Sequence, residues 1–208
     1  MITVYGDVNS GNCYKVKWIL ERLQIEYQWQ EVDILAGETQ TQDFLAINPA
    51  GKIPVVTLAD GRCLSESNAI LGYFAQGSEL LPEDRYQCAQ VYQWLFFEQY
   101  SHEPYIAVAR FIQTYLGMPE SRQAEYTQLQ SGGHKALSLM EAQLSRTSYL
   151  VGERCTIADI ALYAYTHVAD QGGFDLNLYP SIQRWCAQMT KQPNYVAMGS
   201  APISACEV

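Results

Sequence analysis

The chain has 208 residues, a formal net charge of −9 and 48% hydrophobic content, enough apolar material for a substantial core in one large domain or two small ones. Charged residues make up only 17% and tyrosines number fifteen, which excludes a disordered chain. The acidic balance argues against a general nucleic-acid-binding protein, which needs a basic face.

Ile2 to Tyr5 is a short run of β-formers closed by Gly6 and followed by the polar stretch Asp7 to Asn12. From Cys13 the period becomes helical, with Val16, Ile19, Leu20 and Leu23 on one face and Lys15, Lys17, Glu21 and Arg22 on others. Tyr27 to Ile34 alternates as a second strand would, so the opening reads strand, helix, parallel strand. A short segment around Phe44 and Leu45 stops before Pro49. Lys52 to Leu58 is a strand containing Pro54, Asp60-Gly61 is a turn, and Arg62 to Leu64 is the returning strand of a hairpin. Ser65 is placed to cap a helix that runs through Phe74 and ends at Gly77.

Beyond the break at Leu80-Leu81-Pro82 the strand signals disappear. Tyr86 to Leu116 is helical and kinked by Pro104. Polar Ser121 to Gln130 leads into a helix over Ala136 to Leu144, and further helices start near Thr156 and after Pro180. The fold expected is an α/β domain over residues 1–77 followed by an all-helical domain over residues 85–208. No stretch of about 18 uncharged apolar residues suggests a membrane span, and the first residues lack the pattern of a signal peptide. Cysteines 13, 63, 88, 155, 186 and 206 form neither a CxxC pair nor a zinc-ligand spacing, so no metal is expected and the thiols suit the cytoplasm.

Four local patterns bear on chemistry. Ser10-Gly11-Asn12-Cys13-Tyr14-Lys15 lies in a strand-to-helix turn, where outward-pointing amides favour negative charge. A hydroxyl there either stabilises a bound thiolate or simply caps the helix. Ile53-Pro54 opens a strand: it is either an edge-strand proline or the place where an extended peptide pairs with exposed backbone. Glu66-Ser67 at a helix start suits the carboxylate and ammonium of an amino-acid headgroup, and equally suits capping. Thr156-Ile157-Ala158-Asp159 is a structural capping box.

In this order these segments resemble the cytosolic glutathione transferase superfamily, in its bacterial and plant-like serine-type classes. The resemblance rests on Val4-Tyr5-Gly6, Ser10, Phe44-Leu45-Ala46-Ile47-Asn48-Pro49, Lys52-Ile53-Pro54, Glu66-Ser67-Asn68-Ala69-Ile70 and Thr156-x-x-Asp159. It implies a thioredoxin-like N-terminal domain, an all-α C-terminal domain and a homodimer. It also implies glutathione as co-substrate, with Ser10 stabilising its thiolate and Tyr5 and Cys13 as alternates. Lys52, Ile53, Pro54, Glu66 and Ser67 would hold the tripeptide. In the helical half Tyr105, Arg110 and Phe111 are the candidates for an electrophile pocket. Thr39-Gln40 stands where related sequences carry His-Lys. Two rivals remain: a glutathione-dependent thiol-disulfide exchanger using Cys13, and a non-enzymatic binding module of the same fold.

Overall fold

The computed structural model describes residues 1–200; Cys206 and the end of the expected helical domain lie outside the described residues. The chain divides into two units, one formed by Met1–Gln76 together with the segment from Pro193, the other by Gly77–Gln192. Residues 193–200 group with the first unit and not with the helices. No helix among the described residues is long and apolar enough to cross a membrane.

In the first unit β1 (Ile2–Gly6), α1 (Gly11–Arg22) and β2 (Tyr27–Glu31) form the parallel crossover. α2 (Gln42–Ile47), β3 (Val55–Thr57), β4 (Cys63–Ser65) and α3 (Ser67–Ala75) follow. The sheet order is β2-β1-β3-β4, with β3 antiparallel to both β1 and β4, the mixed four-stranded sheet of a thioredoxin-like domain. Side chains alternate across β1. Gly6 lies on the α1 face, where an added Cβ would come within 3.0 Å of both the Cys13 sulfur and the Trp29 ring. Tyr5 faces the other way and packs edge-on against Phe44 in a cluster with Val32 and Val55.

α1 departs from expectation. Lys15 and Lys17 are 0% and 2% exposed, where the periodicity had set them on polar faces. α3 packs along α1, and the returning segment after Pro193 also bonds to it, so a helix that reads as one-sided has partners on more than one side. The α3 cap also shifts by one residue: Ser65 closes β4, and Glu66 is the residue before the helix.

The second unit is helical. α4 (Arg85–Phe97) runs into a π-helical turn, Glu98–His102, and then α5 (Glu103–Thr114). Proline in a helix lacks an N–H and crowds the carbonyl four residues back, so the wider turn just ahead of Pro104 accommodates both problems. His102 is buried in that turn, with Nε2 2.9 Å from the Thr166 hydroxyl. α6 (Gln123–Leu144) absorbs most of the polar stretch expected to precede it, with Gln123, Thr127 and Gln128 exposed. Gly132 and Gly133 sit at its middle because two rings press there, Tyr105 and Phe174, each about 2.2 Å from where a Cβ would stand. α7 (Ile157–Thr166) begins at the expected capping box, and α8 (Pro180–Met189) closes the unit.

Candidate active site

Three backbone features of the first unit bring the predicted glutathione-site residues to helix starts and a loop. The first is the turn after β1. Ser10 caps α1 in extended conformation, and its Oγ accepts the Cys13 N–H at 3.4 Å. A hydroxyl has one proton and two lone pairs, so accepting this bond leaves its O–H proton uncommitted among the described residues. The first turn of α1 contains no acidic residue of its own, so its orphan amides carry positive potential, set against the nearby Asp7 and Glu31 carboxylates.

The second feature is the loop into β3. The Ile53–Pro54 peptide is cis. Asn48, nearly buried, donates from its amide to the Lys52 carbonyl at 2.7 Å and accepts from Ala50 N–H at 3.2 Å. Gln40 donates to the Gly51 carbonyl at 3.1 Å, and Gly51 needs its glycine, having φ +60 and Gln40 Nε2 2.6 Å from a would-be Cβ. Gln40, which departs from the family's pattern, therefore braces the loop that carries Lys52 and Ile53.

The third feature is the start of α3. Glu66 holds φ +67 and ψ 107, an uncommon backbone for a residue with a Cβ and one that costs about 1–3 kcal/mol. Its carboxylate does not cap the helix. The Ser67 hydroxyl donates to Asn12 Oδ1 at 3.1 Å and accepts from Lys15 Nζ at 3.3 Å, so its proton is committed within the protein. What Ser67 offers an anion is its backbone N–H at the first helical position. Lys52 and Glu66 are exposed, with no side-chain hydrogen bond or ion pair among the described residues.

Lys15, Asn12 and Asn68 were not singled out for function in the sequence. Buried Lys15 donates to Asn12 Oδ1 at 2.9 Å and to Asn68 Oδ1 at 3.3 Å as well as to Ser67, tying the start of α1 to the start of α3. The signal available was Lys15 beside the Ser10 turn; its burial depends on α3, more than fifty residues away in sequence.

The two alternates to Ser10 are placed differently. Tyr5 belongs to the sheet face opposite Gly6 and Cys13, committed to Phe44 and its neighbours. Cys13 is 0% exposed, and burial pushes its thiol up to about 12 despite the Ser10 hydrogen bond that lowers it. In the helical unit Tyr105 packs its ring onto Gly132 of α6, and Arg110, nearly buried, donates from Nε to Gln171 Oε1 at 2.8 Å. Both have packing roles there. Phe111 is half-buried and stacks on Tyr115 with centroids 5.1 Å apart.

Residues 1–76 match the model of the glutathione S-transferase N-terminal domain, and residues 96–193 match that of the C-terminal domain. The chain belongs to the glutathione S-transferase family. A solved glutathione S-transferase from Pseudomonas fluorescens Pf-5 is 62% identical, with a TM-score of 0.94 over 96% of this chain and 99% of that one. Glutathione S-transferase 2 of Anopheles gambiae is 31% identical over 91% of this chain and 90% of its own length. Elongation factor 1-gamma of Artemia salina is 32% identical over 78% of this chain, which spans 38% of that longer protein. The glutathione S-transferase fold thus occurs among relatives both with and without a transferase name.

Proposed function

We propose that this chain is an active glutathione S-transferase that holds glutathione as its thiolate against the Ser10 turn and adds it to small, largely apolar electrophiles. The observation that carries this reading is the start of α1: a neutral hydroxyl cap with an uncommitted proton, set among amides that no first-turn acid neutralises. Lowering a thiol pKa from near 9 to near 6.5 takes about 3 kcal/mol of preference for the thiolate. One hydrogen bond to a charged group contributes about 1.5–3 kcal/mol, and the α1 amides supply the remainder.

The rest of the peptide follows from chemistry. The Ile53 backbone pairs with the cysteinyl unit. The exposed Glu66 carboxylate accepts from the γ-glutamyl ammonium, while the Ser67 N–H receives the adjoining carboxylate. Lys52 meets the glycine end, and Lys15, whose three N–H donors go to Asn12, Ser67 and Asn68, holds the α3 start in place. The product forms when the thiolate sulfur attacks the electrophile's carbon and the leaving group, where there is one, departs with its electron pair. Burial of Cys13 favours this over disulfide exchange at that residue. Phe111 is the remaining candidate for contact with the electrophile, since Tyr105 and Arg110 are engaged elsewhere. We assign the activity to the cytoplasm and to a homodimer; Tyr92, Phe96 and Tyr100, exposed at spacings of four, form an apolar face suited to such pairing.

The test is binding of glutathione and turnover of a chloronitroarene by the wild type and Ser10→Ala, with the absorbance of bound thiolate read near neutral pH. The transferase reading requires both signals in the wild type and a marked loss of both in the variant. Absence of binding and turnover in the wild type would assign the chain to the non-enzymatic module.

A further inference from the structure

From Pro193 the chain returns to the first unit and is fastened to α1 and to the turn before it. The Tyr195 ring stands edge-on to Trp18, with centroids 5.4 Å apart. The Tyr14 hydroxyl donates to the Val196 carbonyl at 2.7 Å. Lys17 Nζ donates to the Ser200 carbonyl and, at 2.7 Å, to its hydroxyl. Finally, the Gly199 N–H donates to the Val8 carbonyl at 3.0 Å.

That last bond reaches the machinery. Val8, Asn9 and Ser10 form one turn, in which Asn9 N–H binds the Asp7 carboxylate at 2.8 Å and Ser10 N–H binds the Asp7 carbonyl at 3.0 Å. Gly199 has φ +76, and a Cβ on it would stand 3.4 Å from Asn9 Oδ1, so glycine suits both its backbone and its nearness to the turn. Lys17 is the other unusual element. A methylene chain alone would fill this buried position without desolvating an amine, and burial indeed lowers the Lys17 pKa. A buried polar group of this kind selects one arrangement over similar ones, because only that arrangement supplies its acceptors. Here the acceptors are both on Ser200.

We propose that residues 193–200 act as a strap that sets the Ser10 turn, with Tyr14, Lys17 and Ser200 as positioning residues for the thiolate site. The inference rests on the transferase reading above. None of the three touches the reacting sulfur. Their effect passes through the α1 axis and the Val8 carbonyl to the direction of the Ser10 O–H, and a hydrogen bond to a thiolate weakens steeply with misalignment.

The experiment compares the full-length wild type with Lys17→Met, Lys17→Arg and Ser10→Ala. Trp18 fluorescence reports whether Tyr195 has left, thermal unfolding reports the fold, and the pH profile of kcat/KM reports the bound thiol. With the strap released, the apparent thiol pKa of Lys17→Met rises from near 6.5 by about half a unit to one unit, a roughly one-and-a-half- to threefold loss of thiolate at pH 7. KM for the electrophile stays unchanged, and Lys17→Arg, which keeps donors, recovers part of the shift. If Lys17→Met does not fold, or does not release Tyr195, Gly199→Ala replaces it, since a side chain at φ +76 strains the backbone whose N–H binds Val8. A pH profile identical to wild type in the variant with the altered strap, while Ser10→Ala shifts it, overturns the strap. A profile that Ser10→Ala also leaves in place overturns the transferase reading instead.

Discussion

Two helices of this protein begin with the same chemistry and end up with opposite uses. Both α1 and α7 follow a hydroxyl residue in extended conformation whose oxygen accepts a first-turn amide, Ser10 from Cys13 and Thr156 from Ala158. At α7 the third helical residue is Asp159, whose carboxylate accepts from Thr156 N–H at 2.9 Å and also from Leu150 N–H and Trp185 Nε1, at 2.9 and 3.0 Å. At α1 the third helical residue is Cys13, which carries no charge to return. One helix start is closed by its own buried carboxylate; the other has no carboxylate in its first turn, which is what the proposed thiolate site requires. A capping hydroxyl alone does not distinguish the two. The residue three places later does.

Removing the carboxylate from the closed end has the largest expected effect. Asp159→Ala leaves four buried donors, the Thr156 hydroxyl among them, without their acceptor and lowers the unfolding free energy by about 3–5 kcal/mol, read from urea denaturation. The same carboxylate sets a pH dependence. Burial raises Asp159 from 3.8 to about 6 in the folded protein, so between those values the folded state keeps a proton that the unfolded state has released. Its contribution is fully present below about pH 4 and declines by up to about 3 kcal/mol as pH rises through 6. Asp159→Asn, itself less stable, lacks this component, and the difference between the two stability–pH curves measures it.

Ser10→Asp tests the open end more sharply than alanine does. A carboxylate at the cap complements the helix dipole, so the variant unfolds within about 1 kcal/mol of the wild type. It also occupies the positive end that the thiolate needs, so thiolate absorbance disappears and kcat/KM falls by about two orders of magnitude. Stability retained with activity lost is the expected pair; activity retained would remove α1 from the mechanism.

The contrast between the helix starts was partly legible in the sequence, because caps are local. Ser10, Thr156, Asp159 and the Glu66-Ser67 pair each sit within a few residues of the element they start, and Ile53-Pro54 marks its own loop. What could not be read depends on distant chain. Lys15 and Lys17 look solvated by periodicity and are buried by partners that arrive some fifty and one hundred and eighty residues later. The Ser67 hydroxyl looked available until Asn12 was seen to accept its proton. Nothing local announced that Gly132 would leave room for the Tyr105 ring. Polar residues at the start of α6 hid where the helix begins, because an exposed helical turn carries no apolar period to mark it.

The smallest expected effect concerns Cys13 and separates the two chemistries that a thiol near a helix start could serve. A reactive cysteine must be reachable and ionised, and Cys13 is neither: its sulfur faces Gly6 under the sheet and its thiol is held near 12. Cys13→Ala removes a buried sulfur and costs about 1–2 kcal/mol of stability through lost packing. It keeps the backbone N–H that Ser10 caps, so the open end of α1 survives, and conjugation remains within about threefold of wild type. Disulfide exchange with a glutathione mixed disulfide, measured alongside, should be equally weak in both proteins. A Cys13→Ala variant that loses conjugation while remaining folded would place the sulfur, and not the Ser10 hydroxyl, at the centre of the α1 turn's chemistry.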